Sequence, residues 1–283
     1  MKNHFRLSSI AFLFLLGCSN QTTVAEKNDT NTKVDNVDSS KVTPPAERRM
    51  ASAAEIMARK QVPVLCYHHI RSVPAISKSS AGYDVTTTQF KETMKALKDS
   101  GYSTILPDQY YNYLVYGDAL PAKPVMITFD DTDEEQFSIA KPEMDKYGFK
   151  AVYFIMTISI DRPRYMTKAQ IKQLSDEGHV IGSHTWDHHR VDRLKDEEWA
   201  AQFDKPEKKL QEITGKKIEY FAYPFGVWNQ AALPRLKERG YKLSFQLSTK
   251  RDSLEPLQTV RRMIVAPQWT AQGILKVMKT TFP

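Results

Sequence analysis

The amino-acid sequence predicts an α/β domain built around a parallel sheet. Short apolar runs alternate along the chain with amphipathic segments whose apolar residues recur at helical spacing. This alternation is typical of parallel strands that are joined by covering helices. Polar residues of chemical interest follow several of the apolar runs directly. Because active sites collect at the carboxyl ends of parallel strands, the sequence also predicts that these residues meet at one site.

Seven apolar runs are predicted as strands of this sheet. They are residues 62–67, 125–129, 151–155, 180–181, 220–222, 243–245 and 260–265. Most are rich in β-branched and aromatic residues, as strands that are covered by helices usually are.

Three segments are predicted as helices between these strands. The first, residues 88–101, begins with Thr88 as its cap and ends at Gly101. The second spans residues 139–148, and the third spans residues 169–178 with Thr167 as its cap. Each carries apolar residues three or four positions apart, which indicates one face against the sheet.

The amino-terminal end has the features of an export signal. Residues 1–17 join a positively charged start to an apolar core that is shorter than the roughly 20 residues of a membrane span. The run Leu15-Leu16-Gly17-Cys18 resembles a lipoprotein box, and ordinary cleavage with an incidental Cys18 is the alternative. We therefore expect an exported protein with lipid on Cys18, anchored to the cell envelope. In a Gram-negative host it would sit on the outer membrane, facing the periplasm.

The rest of the chain divides into a tether and one domain. Residues 18–49 are polar and poor in large apolar residues, which predicts a flexible tether. Residues 50–283 are predicted as a single domain, and we expect a monomer. With Cys18 lipidated, Cys66 has no partner, so a disulfide framework is excluded. The net charge of +7 is scattered among acidic residues, which argues against nucleic-acid binding.

Two pairs of residues carry the chemistry. Asp130 and Asp131 end one predicted strand, and His184 and His188 follow another. Adjacent carboxylates repel each other unless a cation or a division of roles separates them. One carboxylate and two imidazoles make a three-ligand metal site with open positions, and the second carboxylate is then left as a base. The alternatives are a solvated turn and two histidines that share a helical face by chance.

The order of three motifs resembles a known family. Thr128-Phe129-Asp130-Asp131, His184-Thr185-Trp186-Asp187-His188 and Phe221-Ala222-Tyr223-Pro224-Phe225-Gly226 are similar to the motifs of polysaccharide deacetylases with a NodB-homology domain, carbohydrate esterase family 4. The resemblance runs from about Val62 to the carboxyl terminus. It is closest to the biofilm branch, which acts on poly-β-1,6-N-acetylglucosamine. It implies a distorted (β/α) barrel in circularly permuted form.

The resemblance also implies roles for single residues. Asp131, His184 and His188 would bind one divalent metal ion, with zinc favoured by this ligand set and nickel, cobalt or iron as alternatives. Asp130 would be the base that takes a proton from water. The backbone N–H of Phe225 would hold the oxyanion. Tyr223, Pro224, Gly226 and Trp186 would contact the sugar.

The sequence departs from the usual family pattern at three positions. No histidine follows His189, so the proton donor is expected to be His68, as in the permuted biofilm branch. Ala222 stands where an arginine often pairs with the base, and either Arg261 or Arg262 is the expected substitute. Arg262 fits the branch better. Thr132 stands where glycine is usual.

These residues predict a metal-dependent enzyme that removes N-acetyl groups from an N-acetylglucosamine polymer, most specifically poly-β-1,6-N-acetylglucosamine of biofilm. A deacetylase of peptidoglycan or chitin oligosaccharides is the first alternative. A catalytically silent lipoprotein that binds polysaccharide is the second, because of Ala222 and the absent late histidine. The set of Asp130, Asp131, His184 and His188 argues against a silent protein, which has no use for a base beside a metal.

Overall fold

The computed structural model describes residues 48–72 and 82–282 of the chain. The predicted signal peptide, Cys18 and the tether up to residue 47 lie outside the described residues. Within the described ranges, none of the helices combines the length and the apolar character that a membrane span requires.

Eight α-helices lie within the described residues. They are α1 (Ala53–Ala58), α2 (Thr87–Asp99), α3 (Pro107–Tyr116), α4 (Lys141–Asp145), α5 (Lys168–Asp176), α6 (Lys205–Thr214), α7 (Ala232–Glu238) and α8 (Ala271–Thr281). Ten strands alternate with them. They are β1 (Val64–Tyr67), β2 (His69–Arg71), β3 (Asp84–Thr86), β4 (Ser103–Thr104), β5 (Pro124–Phe129), β6 (Val152–Ile155), β7 (Val180–Ser183), β8 (Tyr220–Ala222), β9 (Leu243–Phe245) and β10 (Met263–Ile264).

The main sheet is parallel, with the strand order β10-β1-β5-β6-β7-β8-β9. Its two edges are joined by one extended segment. Val260 pairs with Phe245 at the end of β9, whereas Met263 pairs with Leu65 of β1 three residues later. This segment closes the sheet into a distorted barrel, which confirms the predicted fold class. The circular permutation stays a prediction.

Side chains alternate between the inside and the outside of the barrel. The inward residues of β5, β6 and β9, such as Met126, Phe154 and Phe245, belong to one buried cluster, together with Tyr110 from α3. The outward residues, such as Phe129, belong to a second cluster with the covering helices. Since central strands such as β5 and β6 bury both faces, their sequences are apolar throughout, as the sequence analysis expects.

The helix boundaries differ from prediction at two places. The cap of α2 is Thr86, whose side chain accepts a hydrogen bond from the Gln89 backbone, so the expectation for Thr88 is wrong. The second predicted helix begins earlier, as a π-helical turn at Gln136–Ala140, and continues as α4. Pro142 in the first turn of α4 has no N–H to donate, which interrupts the regular bonding pattern there. Thr167 caps α5 as expected.

The space inside the barrel explains Gly182 on β7. A Cβ atom at this position would lie 2.6 Å from the Phe154 ring and 2.9 Å from the Tyr220 carbonyl oxygen. We expect Gly182→Ala to lower the free energy of unfolding by about 1–3 kcal/mol, the usual cost of overpacking. Chemical denaturation measures it. Gly82→Ala is the control because its Cβ would meet no atom within 4 Å. Equal stability of the two variants would contradict this packing.

Candidate metal and catalytic centre

Two carboxylates end strand β5 and face the same pocket. Asp130 follows Phe129 and is buried, with only 2% of its surface exposed. Neighbouring residues of a strand point to opposite sides. Asp131 escapes this rule because its φ of 72° is in the left-handed region, and Thr132 has the same φ. The left-handed turn brings the Asp131 carboxylate to the side that Asp130 occupies.

The two histidines converge on Asp131. His184 follows β7, and its Nδ1 lies 2.7 Å from the Ala222 carbonyl oxygen. A carbonyl only accepts, so Nδ1 carries a proton, and Nε2 is the ring nitrogen that faces Asp131. That Nε2 lies 3.5 Å from Asp131 Oδ1, and Nε2 of His188 lies 3.4 Å from the same oxygen. His188 has a φ of 66°, which turns its ring back toward His184.

This group has the chemistry of a cation site. One ligand atom each from Asp131, His184 and His188 lies within 4.8 Å of the others. Asp131 Oδ1 and His184 Nε2 are buried and have no hydrogen-bond partner among the described residues. Buried polar atoms are normally satisfied, so two that face each other without partners indicate room for a metal ion. The residues therefore fit a divalent metal.

The three residues of the group shift one another's pKa values. Burial lowers the pKa of His184, but Asp130 and Asp131 outweigh it and raise that pKa overall. Burial together with the neighbouring His184 lowers the pKa of His188 to about 4, so its ring is neutral and available as a ligand. Burial alone raises the pKa of Asp131, but the surrounding histidines outweigh it and lower the pKa overall.

Arg262 holds the other carboxylate. Its Nη1 and Nη2 each lie 2.7 Å from one oxygen of Asp130, and both side chains are buried. The guanidinium also donates to Thr128 Oγ1 and to the Gln246 carbonyl oxygen. Burial raises the pKa of Asp130, but the charges of Arg262 and His184 outweigh it and bring the pKa to about 2. Asp130 is therefore an anion fixed in one orientation.

The neighbouring arginine goes elsewhere. Arg261 donates to the Thr281 carbonyl oxygen and lies over the Phe282 ring. Of the two arginines left open by the sequence, the structure brings Arg262 to Asp130.

His68 and its environment form the third side of the pocket. His68 Nε2 lies 3.9 Å from Asp130 Oδ2, and the Tyr83 ring packs 5.0 Å from the imidazole. Burial lowers the pKa of His68, against the opposing effect of the two aspartates. Cys66 is buried as expected, but its thiol also lies 3.6 Å from Asp130 Oδ2.

The turn after β8 supplies backbone groups and a wall. Phe225 has a φ of 59°, and its half-exposed ring lies 4.4 Å from the His188 ring. A Cβ at Gly226 would lie 2.5 Å from Leu247 Cγ, so only glycine fits there. Tyr223, by contrast, is fully buried, and its hydroxyl donates to the Gln258 carbonyl oxygen. Tyr223 nevertheless lines the cavity, and its contact with a sugar stays a prediction.

These residues enclose a cavity of about 190 Å³. It is lined by His68, His69, Tyr83, Asp130, Asp131, His188, Tyr223, Phe225, Gly226, Leu247 and Arg262. Trp186 is exposed but is not among the lining residues, and Pro224 is buried beside the cavity. A larger cavity of about 800 Å³ lies between α2, α3 and α8. The charged residues that line the larger cavity are three lysines and one aspartate, and neither group of potential metal ligands lies there, so the smaller cavity is the candidate site.

Sequence reasoning missed three residues that shape the site. Tyr83 and Leu247 line the cavity, and Gln136 donates to two backbone carbonyl groups beside it. Tyr83 and Leu247 lie in irregular segments without a motif. Gln136 could have been noticed as a polar residue at a position that faces the core. The prediction began the helix at residue 139, however, and so left Gln136 outside it.

The sequence model of the polysaccharide deacetylase family matches residues 117–244. This range contains Asp130, Asp131, His184, His188 and Phe225. The YxkH protein of Bacillus subtilis, named as a polysaccharide deacetylase, is 29% identical over 183 residues. That alignment covers 65% of this chain and 63% of the relative, so the chain spans less than two thirds of the relative's length. Residues 117–244 therefore match the polysaccharide deacetylase family in sequence.

Two further relatives extend this finding. The poly-β-1,6-N-acetyl-D-glucosamine N-deacetylase of Staphylococcus aureus is 28% identical over 209 residues, which cover 66% of this chain and 72% of that protein. The structure of the Streptococcus pyogenes deacetylase PplD superposes with a TM-score of 0.70 at 23% identity, over 77% of this chain and 98% of that one. The likeness to the PplD structure confirms the predicted barrel fold.

The ion pair between Arg262 and Asp130 predicts a large stability effect. Arg262→Met leaves a buried carboxylate without its partner, and we expect a loss of about 3–5 kcal/mol in the free energy of unfolding. The double variant with Asp130→Asn should regain a large part of that loss, because no charge remains. Arg261→Met, the control, should change stability by less than about 1 kcal/mol. Additive losses in the double variant would show that the pair is not coupled.

Proposed function

We propose that this chain is a metal-dependent deacetylase of an N-acetylglucosamine polymer, with poly-β-1,6-N-acetylglucosamine as its substrate. The observation that carries the proposal is the position of Asp130. A carboxylate kept ionised by Arg262 lies beside a three-residue group that fits a metal ion. The name of the Staphylococcus aureus relative supports the choice of polymer.

Asp131, His184 and His188 would hold the metal. When bound, a divalent ion at these ligands would polarise the acetyl carbonyl and lower the pKa of water toward neutrality. Zinc is the favoured ion, since two imidazoles and one carboxylate with open positions are its usual catalytic ligands.

The remaining groups of the chain divide the reaction among them. Hydrolysis forms a C–O bond from water to the acetyl carbon and breaks its C–N bond. Asp130 accepts a proton from the attacking water, and the Phe225 N–H donates to the oxygen that becomes negative. His68 delivers a proton to the nitrogen, which leaves as an amine. Phe225 and Tyr83 present apolar ring faces at the cavity, where they can pack against a sugar ring.

A further proposal concerns location. Leu15-Leu16-Gly17-Cys18 supports lipid attachment at Cys18 and anchoring in the cell envelope. Cys18→Ala should move the protein from the membrane fraction to the soluble fraction of expressing cells. An unchanged distribution on immunoblots would point to another mode of attachment.

The metal assignment is tested by ligand removal. Asp131→Ala, His184→Ala and His188→Ala should each lose bound zinc on dialysis, because each removes one of three ligands. Elemental analysis of the purified proteins measures this. His189→Ala is the matched control, since His189 is a partly exposed neighbour outside the group and should keep the wild-type metal content. Full retention by all three ligand variants would refute the site.

The activity is tested with acetylated oligosaccharides. Purified zinc-loaded protein should release acetate from β-1,6-linked N-acetylglucosamine oligomers faster than from β-1,4-linked ones. Asp130→Asn should keep its metal but lose about 10²–10⁴-fold in rate, the usual contribution of a general base. Faster release from β-1,4 chains would favour the chitin and peptidoglycan alternative. Binding of polymer without any acetate release would favour the silent lipoprotein.

A further inference from the structure

A buried glutamine joins the two strands that carry the proposed base and the proposed acid. Gln136 has no exposed surface. Its side-chain amide nitrogen lies 2.8 Å from the His68 carbonyl oxygen and 2.5 Å from the Asp130 carbonyl oxygen. Both partners only accept, so the NH₂ group must face them, and each of its two hydrogens is used. One side chain therefore ties the backbone of residue 68 to that of residue 130.

The position of this tie is significant because regular pairing stops there. The last link between the two strand ends is the bond from the Asp130 backbone N–H to the Tyr67 carbonyl oxygen, at 3.0 Å. Beyond it β1 and β5 have ended, and the backbone turns left-handed at Asp131. Beyond this point the side chain of Gln136, rather than a backbone hydrogen bond, links the two segments. It is the first residue of the π-helical turn, a type of turn that is frequent at functional sites.

The residue after His68 is held from the other side. His69 Nδ1 lies 2.5 Å from Asp84 Oδ1, and its Nε2 lies 3.1 Å from Asp133 Oδ2. Arg71 also bonds Asp133, at 3.2 Å. His69 is thus fixed between two carboxylates, one on β3 and one in the loop that leads to Gln136. The His68 backbone is therefore restrained in two ways. Gln136 bonds its carbonyl oxygen, and Asp84 and Asp133 hold the side chain of the next residue, His69.

We propose that Gln136 is a positioning residue that sets the distance between the His68 imidazole and the Asp130 carboxylate. It acts through these two residues and does not contact substrate. This inference rests on the proposed function, in which His68 protonates the departing amine. Burying an amide is costly unless it is hydrogen-bonded, and these two bonds offset that cost for the NH₂ group of Gln136. Small displacements of a reacting group reduce rates steeply, so the tie matters most for the step that His68 performs.

The test compares two substrates that differ in their need for an acid. When an N-acetylated oligosaccharide is hydrolysed, the leaving group is the sugar amine, whose nitrogen must receive a proton. When nitrophenyl acetate is hydrolysed, the leaving group is nitrophenolate, which needs no proton. Gln136→Met keeps the length of the side chain but has no N–H donor. It should lower kcat on the oligosaccharide about 10–100-fold, with KM, metal content and the rate on the ester within about threefold of wild type. Gln173→Met is the matched control, since Gln173 bonds only Glu177 on the surface of α5, and should match wild type on both substrates.

A double variant separates positioning from a general loss of structure. His68→Ala should show the same selective loss, and adding Gln136→Met to it should cause little further change, because the residue to be positioned is already gone. Independent, multiplying losses, or equal losses on amide and ester, would overturn the proposal. If Gln136→Met does not fold, Gln136→Asn replaces it, because its shorter amide cannot reach both carbonyl groups.

The role of Gln136 can be tested even if the proposed deacetylase function is wrong. Wild-type protein that is inactive on the oligosaccharide would contradict the function itself. In that case the imidazole signals of His68 in NMR spectra carry the test. Positioning predicts that they broaden or shift in Gln136→Met and not in Gln173→Met, and unchanged signals would overturn the proposal.

Discussion

The ion pair between Arg262 and Asp130 is the interaction on which the rest of the centre depends. Two carboxylates side by side at the end of a buried strand would repel each other and draw protons. Arg262 neutralises one of them through two parallel hydrogen bonds and leaves Asp131 to the histidines. The same arginine lies on the segment that joins the two edges of the sheet. The segment that closes the barrel therefore also carries the positive charge that balances Asp130.

The backbone conformation of several residues also shapes the centre. Five residues of the centre, Asp131, Thr132, Thr185, His188 and Phe225, have left-handed φ values although none is glycine. Such conformations are unfavourable and persist only where the surroundings enforce them. Thr132 illustrates how. Its hydroxyl accepts a hydrogen bond from the Met156 backbone at 2.9 Å, and its carbonyl accepts one from Met166. These bonds hold Thr132 in a backbone conformation that usually favours glycine.

Much of this arrangement could be predicted from the sequence, and the limit has a physical cause. Asp130, Asp131, His184 and His188 stand beside strong apolar runs, so their meeting at one edge follows from a parallel sheet alone. The residues alone left Arg261 and Arg262 open, because the face that each presents depends on a strand of only two residues, and only the family resemblance favoured Arg262. Gln136 and Tyr83 were missed since their roles arise from contacts across distant segments. The cap of α2 was misplaced because Thr86, Thr87 and Thr88 are equivalent by type.

The position of Arg262 near the end of the chain also bears on how the protein reaches its native state. Its partner Asp130 precedes it by 132 residues, so the central strand is synthesised long before the cation that allows its carboxylate to be buried. An anion buried alone is unfavourable by several kcal/mol. The mouth of the barrel must then stay hydrated until the carboxy-terminal strand docks. We therefore expect the candidate site to assemble late in folding, and a chain truncated before this strand to lack the partner that keeps Asp130 ionised and oriented.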